Sequence, residues 1–186
     1  MVLTSPLLET KVHVPRPRAS LVARPRLSER LNRINEFKLT LISAPAGFGK
    51  STLLADWLAT PRNDRLAAWL SLDQADNEPA VFWTYLVSAL RTVVPGIGDG
   101  SLSLLESPQP RIDAVLAPLL NELAAIPNDV VLVLDDFHVI DAPDIQDGIA
   151  YFLDHLPEPM HLVMATRADP ALPLARLRAR NELIEI

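Results

Sequence analysis

The sequence predicts a three-layer α/β/α domain with a mainly parallel central sheet, and three observations carry that expectation. Short unbroken apolar runs such as Leu39 to Ser43 and Val130 to Leu134 fit strands covered on both faces, which is how parallel sheets read. Between them lie segments with apolar residues at helical spacing, so that strand and helix alternate along the chain. A chain of 186 residues that is 49% apolar and 22% charged is also long enough to fill one such core.

Taken in order, residues 1 to 26 form a Pro/Arg-rich arm, expected to be extended and laid over the domain formed by 27 to 186. Leu27 to Ile34 reads as a short helix, Leu39 to Ser43 as a central strand, and Ser51 to Leu58 as the helix after it. A second strand fits Leu66 to Leu72. Pro79 to Val93 follows as a helix opened by proline, with Phe82, Trp83, Leu86 and Leu90 on its core face. Pro95 to Pro110, rich in Gly, Ser and Pro, reads as a mobile loop, and Arg111 to Ile126 as a helix. Val130 to Leu134 is a strand, Pro143 to Leu156 a helix and His161 to Thr166 a strand. Leu183 to Ile186 looks like the start of one more strand, which would leave the domain incomplete at its C-terminus and a longer parent protein continuing from it.

Composition removes several function classes. Without cysteine there is neither a disulfide framework nor a thiolate metal site, and His13, His138, His155 and His161 lack zinc-ligand spacing and read as surface or strand-end residues. Pro6, Glu9, Lys11, Pro15 and Pro17 break the first twenty residues, so they do not form a signal peptide, and no apolar run is long enough to span a membrane. A cytoplasmic protein without a membrane partner is expected. The net charge of −6 gives no general reason to bind nucleic acid, although Arg16, Arg18, Arg24, Arg26, Arg30 and Arg33 gather near the start as a solvated face or a phosphate-side contact.

The most informative stretch is Leu41 to Thr52, where a strand passes through a small-residue loop into a helix. Ala44, Pro45, Ala46, Gly47, Phe48, Gly49, Lys50, Ser51 and Thr52 have the order of a nucleotide phosphate-binding loop (Walker A), with Ala44 where the usual pattern begins with glycine. In such a loop, backbone N–H groups and the helix N-terminus surround an anion. Lys50 would reach the β and γ phosphates, and the Ser51 hydroxyl would ligate a bridging Mg²⁺. The fold class is then a P-loop NTPase, with ATP or ADP and Mg²⁺ as its cofactors.

Two later strands end in matching chemistry. Asp135 and Asp136 close the Val130 to Leu134 run at the edge where open α/β sheets bind ligands, in the manner of a Walker B motif. Asp135 is assigned to Mg²⁺ and Asp136 to the attacking water, because metal and nucleophile lie on different sides of the phosphate. The bland alternative makes them turn residues. Arg167, after His161 to Thr166, is a candidate γ-phosphate sensor, against the alternative of an exposed arginine paired with Asp169.

Beyond these motifs, Thr10-Lys11 with Pro15-Arg16-Pro17, the run from Leu21 to Leu27, Trp69 to Asp73 with Asp76 to Pro79, Asp135 to His138, and Leu172 to Arg180 resemble one family throughout. The chain resembles the signal-transduction ATPases with numerous domains (STAND, of the ASCE class) and, within them, the MalT-like bacterial activators of the large LuxR type. Members commonly have Ala-Pro-Ala-Gly where Ala44 stands. The resemblance implies an ATP/ADP switch: ADP holds a closed monomer, while an inducer and ATP favour a self-associating form. It further implies inducer-sensing helical repeats, a C-terminal helix-turn-helix that binds DNA, and a winged-helix portion completing the nucleotide pocket, all outside this sequence. It places adenine near Val22 to Arg26. Two turnover readings compete with a weak ATPase switch, an AAA-type motor and a small-molecule kinase; the motor would need an arginine finger in trans, and the 95 to 110 loop carries no Arg or Lys for a kinase lid. The sequence names neither the inducer nor the operator.

Overall fold

The computed structural model of the chain describes residues 7–16, 24–60, 65–108 and 110–186. In chain order the elements are α1 (Pro25–Leu31), β1 (Leu39–Ser43), α2 (Lys50–Ala59), β2 (Arg65–Ser71), α3 (Pro79–Arg91), α4 (Asp99–Leu105), α5 (Ile112–Ala124), β3 (Asp129–Asp135), α6 (Pro143–Asp154), β4 (Met160–Thr166), α7 (Leu174–Ala179) and β5 (Leu183–Glu185). Short 3-10 turns occupy Glu9–Val12, Ile34–Glu36, Gln74–Asn77 and Phe137–Val139. Of the segment expected near adenine, Val22 and Ala23 lie outside the described residues, as does the Pro17 to Ala23 part of the family resemblance.

The five strands form one sheet in the order β2-β3-β4-β1-β5, and every neighbouring pair is parallel. Alternation along each strand sends residues to opposite faces. Val131, Val133, Val163, Ala165 and Ile42 meet Leu54 and Trp57 of α2 and Leu31 of α1 on one face. Val130, Leu132, Leu134, Leu162 and Met164 meet the helices α3, α5 and α6 on the other, through Phe82, Leu116, Leu119 and Ile149. Because both faces are covered, the central strands read as continuous apolar runs.

The Pro95 to Pro110 segment is not simply a loop, since α4 lies within it. Its small residues are there for packing. Gly98 has φ +74°, and a Cβ there would lie 2.6 Å from Val87 Cγ1; Ser101 is fully buried and its hydroxyl donates to Val115 O at 2.7 Å. Gly and Ser therefore let α4 approach α3 and α5 closely. α7 begins after Pro173 and buries Leu174 and Leu177.

The N-terminal segment is fastened to the domain. Lys11 is buried, its Nζ donating to Asp76 Oδ1 at 2.6 Å and to Asp73 Oδ2 at 3.0 Å while lying over the Tyr85 ring. Asp73 and Asp76 form a capping box on the turn that precedes α3. Nearby, the Leu8 N–H donates to the Tyr85 hydroxyl at 3.1 Å.

Gly148 in α6 shows how closely the helical layer is packed. A Cβ there would stand 2.6 Å from Trp83 Cζ2 and 3.1 Å from Ile112 Cγ1. Alanine gains roughly 1 kcal/mol of helix propensity over glycine, but overpacking a full core costs about 1–3 kcal/mol. Gly148→Ala is expected to lower stability, measured by urea unfolding; a more stable variant would contradict the contact.

Candidate functional site

All five strands point the same way, so their C-terminal ends share one edge, and the phosphate loop, Asp135, Asp136 and Arg167 gather there. The loop leaves β1 and turns into α2 through two glycines, Gly47 and Gly49, each with φ +81°. Side chains rarely adopt that conformation, which is the physical reason for glycine at both positions. Leu53 N–H reaches Gly49 O at 2.8 Å. The donors of the turn before it remain available to a ligand. Pro45, Ala46, Gly47 and Phe48 are exposed, whereas Ala44, Gly49, Ser51 and Thr52 are half-buried.

Lys50 is not held out into solvent. It is 8% exposed, and its Nζ turns back to donate to Ala44 O at 2.8 Å and Pro45 O at 3.3 Å. The first residue of the loop thus supplies a carbonyl, not a side chain, which is why Ala44 serves where glycine is usual.

Ser51 Oγ donates to Asp135 Oδ1 at 2.9 Å, joining two segments 84 residues apart. Burial pushes the Asp135 carboxyl above its ordinary range, and the charge of Asp136 adds to the effect. The Ser51 hydrogen bond, the Asp136 N–H and the positive charge of Lys50 oppose it. A buried carboxylate beside a hydroxyl is an oxygen donor pair of the kind Mg²⁺ accepts, with water and phosphate filling its remaining positions. No cluster of three or more His, Cys, Asp or Glu able to hold a metal occurs among the described residues, so protein would supply only part of such a shell.

Asp136 has φ +58°, in the left-handed region, and its N–H donates to Asp135 Oδ1 at 3.1 Å. Its side chain is 44% exposed. Asn77 fixes the segment that follows. Its Nδ2 donates to Val139 O at 2.6 Å, and its Oδ1 accepts from Asp141 N–H at 2.8 Å and Ala142 N–H at 3.1 Å.

β4 lies between β1 and β3, so Arg167 emerges between the phosphate loop and the Asp pair. Thr166 is buried, with its carbonyl accepting from Ala44 N–H at 3.3 Å and its hydroxyl donating to Ala168 O at 2.6 Å. Arg167 is exposed, and its expected alternative partner, Asp169, forms no ion pair with it among the described residues.

His138 is the site residue that sequence reasoning passed over. Its Nδ1 is buried without a hydrogen-bond partner and stands 3.7 Å from Asp136 Oδ1. Burial and the charges of Arg167 and Lys50 lower its pKa against the pull of Asp136. The one sequence signal was its position two residues after the Asp pair. From the arm side, Arg24 also reaches the loop, its guanidinium 4.0 Å from where a Gly49 Cβ would stand.

No protein-family model matches the chain. Its fold is similar to the Walker-type ATPase PABY2304 of Pyrococcus abyssi, with a TM-score of 0.56 and 17% identity over 81% of this chain and 47% of that one. It is similar also to Cdc6p of Pyrobaculum aerophilum, with a TM-score of 0.51 and 18% identity over 93% and 46%. Those likenesses agree with the α/β P-loop NTPase fold. Over 97% of its length the chain is 36% identical to the HTH-type transcriptional regulator MalT of Yersinia enterocolitica and 37% identical to that of Klebsiella pneumoniae. It spans 20% of the length of these relatives. With a parallel P-loop-type sheet underneath and this identity along nearly all of it, the chain is homologous to MalT-like regulators over the part it covers, about a fifth of the regulators it matches.

Proposed function

We propose that this chain is the ATP-binding, slowly hydrolysing switch module of a MalT-like regulator working in the cytoplasm. The observation that carries the reading is the Ser51 to Asp135 hydrogen bond beneath a loop with two left-handed glycines. It brings a phosphate cradle and a buried carboxylate together where a nucleotide and a hard cation would meet. Residues 44 to 52 then hold the phosphates, Lys50 leaves its two carbonyls for the β and γ oxygens, Ser51 and Asp135 hold Mg²⁺, and Arg167 reads the γ-phosphate. Bound Mg²⁺ supplies charge neutralisation between the phosphates. Asp136 orients or deprotonates the attacking water, with the His138 ring beside it. In a whole regulator, the ATP-bound form would self-associate and DNA contact would pass through a helix-turn-helix outside these residues, with the inducer left unassigned.

Lys50→Ala tests the site. A hydrogen bond to a charged group is worth about 1.5–3 kcal/mol, so ATP-Mg²⁺ affinity should fall by roughly 10–100-fold in a variant that retains its circular dichroism spectrum. Calorimetric titration reads it. Unchanged affinity in a folded variant overturns the assignment.

A further inference from the structure

At the edge opposite the phosphate loop, where β1, β3 and β4 begin, lies an open basin of about 680 Å³. His161, at the second position of β4, forms part of its wall with a side chain only 6% exposed. Its Nδ1 lies 3.1 Å from Phe37 O. A carbonyl only accepts, so a proton sits on Nδ1, and whenever the ring carries that one proton Nε2 presents a lone pair. That Nε2 is buried and has no hydrogen-bond partner among the described residues. Asp129 Oδ1 is 4.0 Å away, too far for a hydrogen bond.

Two acceptors thus face each other without a donor between them, since the other Asp129 oxygen is taken by the Asn35 amide. Of the charged groups in the wall, Glu36 is paired with Arg33 and Glu182 with Lys38, while Glu158 is exposed with no ion pair among the described residues. Carboxylates outnumber the single ammonium, so an anion is disfavoured. An apolar ligand would leave both acceptors unpaired. Metal chelation lacks a third ligand. Leu156, Pro157 and Pro159 line the basin as well and offer a surface for methylene groups.

We propose that this basin binds a small free organic cation, an amine or guanidine on a short aliphatic stem, whose N–H groups bridge His161 Nε2 and Asp129 Oδ1 while Glu158 faces its charge from the rim. A nitrogen about 2.9 Å from each acceptor fits between atoms 4.0 Å apart. The site is independent of the nucleotide reading.

The test is NMR of the isotope-labelled 186-residue chain at pH 8, where an ordinary imidazole is neutral. The His161 ring Cε1–H signal, assigned through His161→Gln, is followed on titration with agmatine and putrescine, against sodium chloride at equal ionic strength and against Nα-acetylarginine methylamide. A saturable shift with either amine and none with salt is expected. Asp129→Asn should weaken it by about tenfold or more, and the exposed change Glu158→Gln by about threefold. No saturable shift, an equal shift with salt, or unaltered binding by both variants overturns the proposal. Binding of the acetylarginine amide without binding of the free amines overturns it too, in favour of a protein side chain. Glu158→Gln keeps the test decisive if Asp129→Asn does not fold.

Discussion

Lys11→Met is expected to lower the unfolding free energy by about 3–5 kcal/mol, the usual cost of removing one partner from a buried ion pair. The partner left behind is Asp76, whose side chain is 1% exposed and which accepts both from Lys11 and from Asp73 N–H. Without the ammonium, that carboxylate is buried beside a second one. For a chain of this length each kcal/mol shifts the melting temperature by roughly 2–4 °C, so thermal and urea unfolding should both register the change. Adding Asp76→Asn should restore part of the loss, because an amide does not need a counter-charge. A loss below about 1 kcal/mol, in the range of surface pairs, would mean that the cluster does not hold the N-terminal segment to the domain.

The same cluster has a pH signature. Burial works against the Lys11 ammonium, but hydrogen bonds and charges from Asp76 and Asp73 outweigh it and hold its pKa above the ordinary 10.5. The Lys11 hydrogen bond holds the Asp73 carboxyl below its ordinary range. A raised lysine stabilises the fold fully below its unfolded value and loses that contribution only as pH climbs through the folded one; a lowered aspartate stabilises above its unfolded value and loses it as pH falls through the folded one. The gap between wild type and Lys11→Met should therefore be flat through neutral pH and shrink in acid below about pH 4.

Asp136→Asn should leave ATP binding in place while single-turnover hydrolysis falls by about 10²-fold or more, the typical worth of a general base. The substitution is well suited to its position. At φ +58° most side chains are strained, but asparagine is among the residues that tolerate the left-handed region, so a loss of rate would report chemistry and not a distorted turn. Asp135→Asn should behave differently and lose Mg²⁺-dependent binding, since it removes charge from the carboxylate that bonds Ser51. Equilibrium binding beside single-turnover hydrolysis separates them. Normal hydrolysis by Asp136→Asn, or loss of Mg²⁺-dependent binding as severe as in Asp135→Asn, would refute the division of roles.

What could be read from the sequence was whatever a local stretch encodes. Val130 to Leu134 reads as a buried strand because both its faces are covered, and residues 44 to 52 because glycine spacing and the Lys-Ser pair lie within one loop and helix turn. α4 was hidden because its Gly and Ser residues, which resemble loop residues, are present for close packing against Val87 and Val115. His138 and Asn77 gain their places only from the turn after β3, which Asn77 clamps from 62 to 65 residues away. Nor does sequence show Lys11 as buried, since its partners lie 62 and 65 residues further on.

The hold of Lys50 on the carbonyls of Ala44 and Pro45 would make the proposed nucleotide capture an exchange, not an addition. An incoming phosphate would inherit an ammonium already stripped of most of its hydration and already satisfied by dipoles. The affinity would consequently be a difference between two sets of contacts. A dangling lysine would have to be dried and immobilised at the moment of binding; here that expense is met during folding. On the proposed function, such a loop would trade some depth of affinity for a charge that is in position before the ligand arrives, and the same carbonyls would recapture it when the ligand departs.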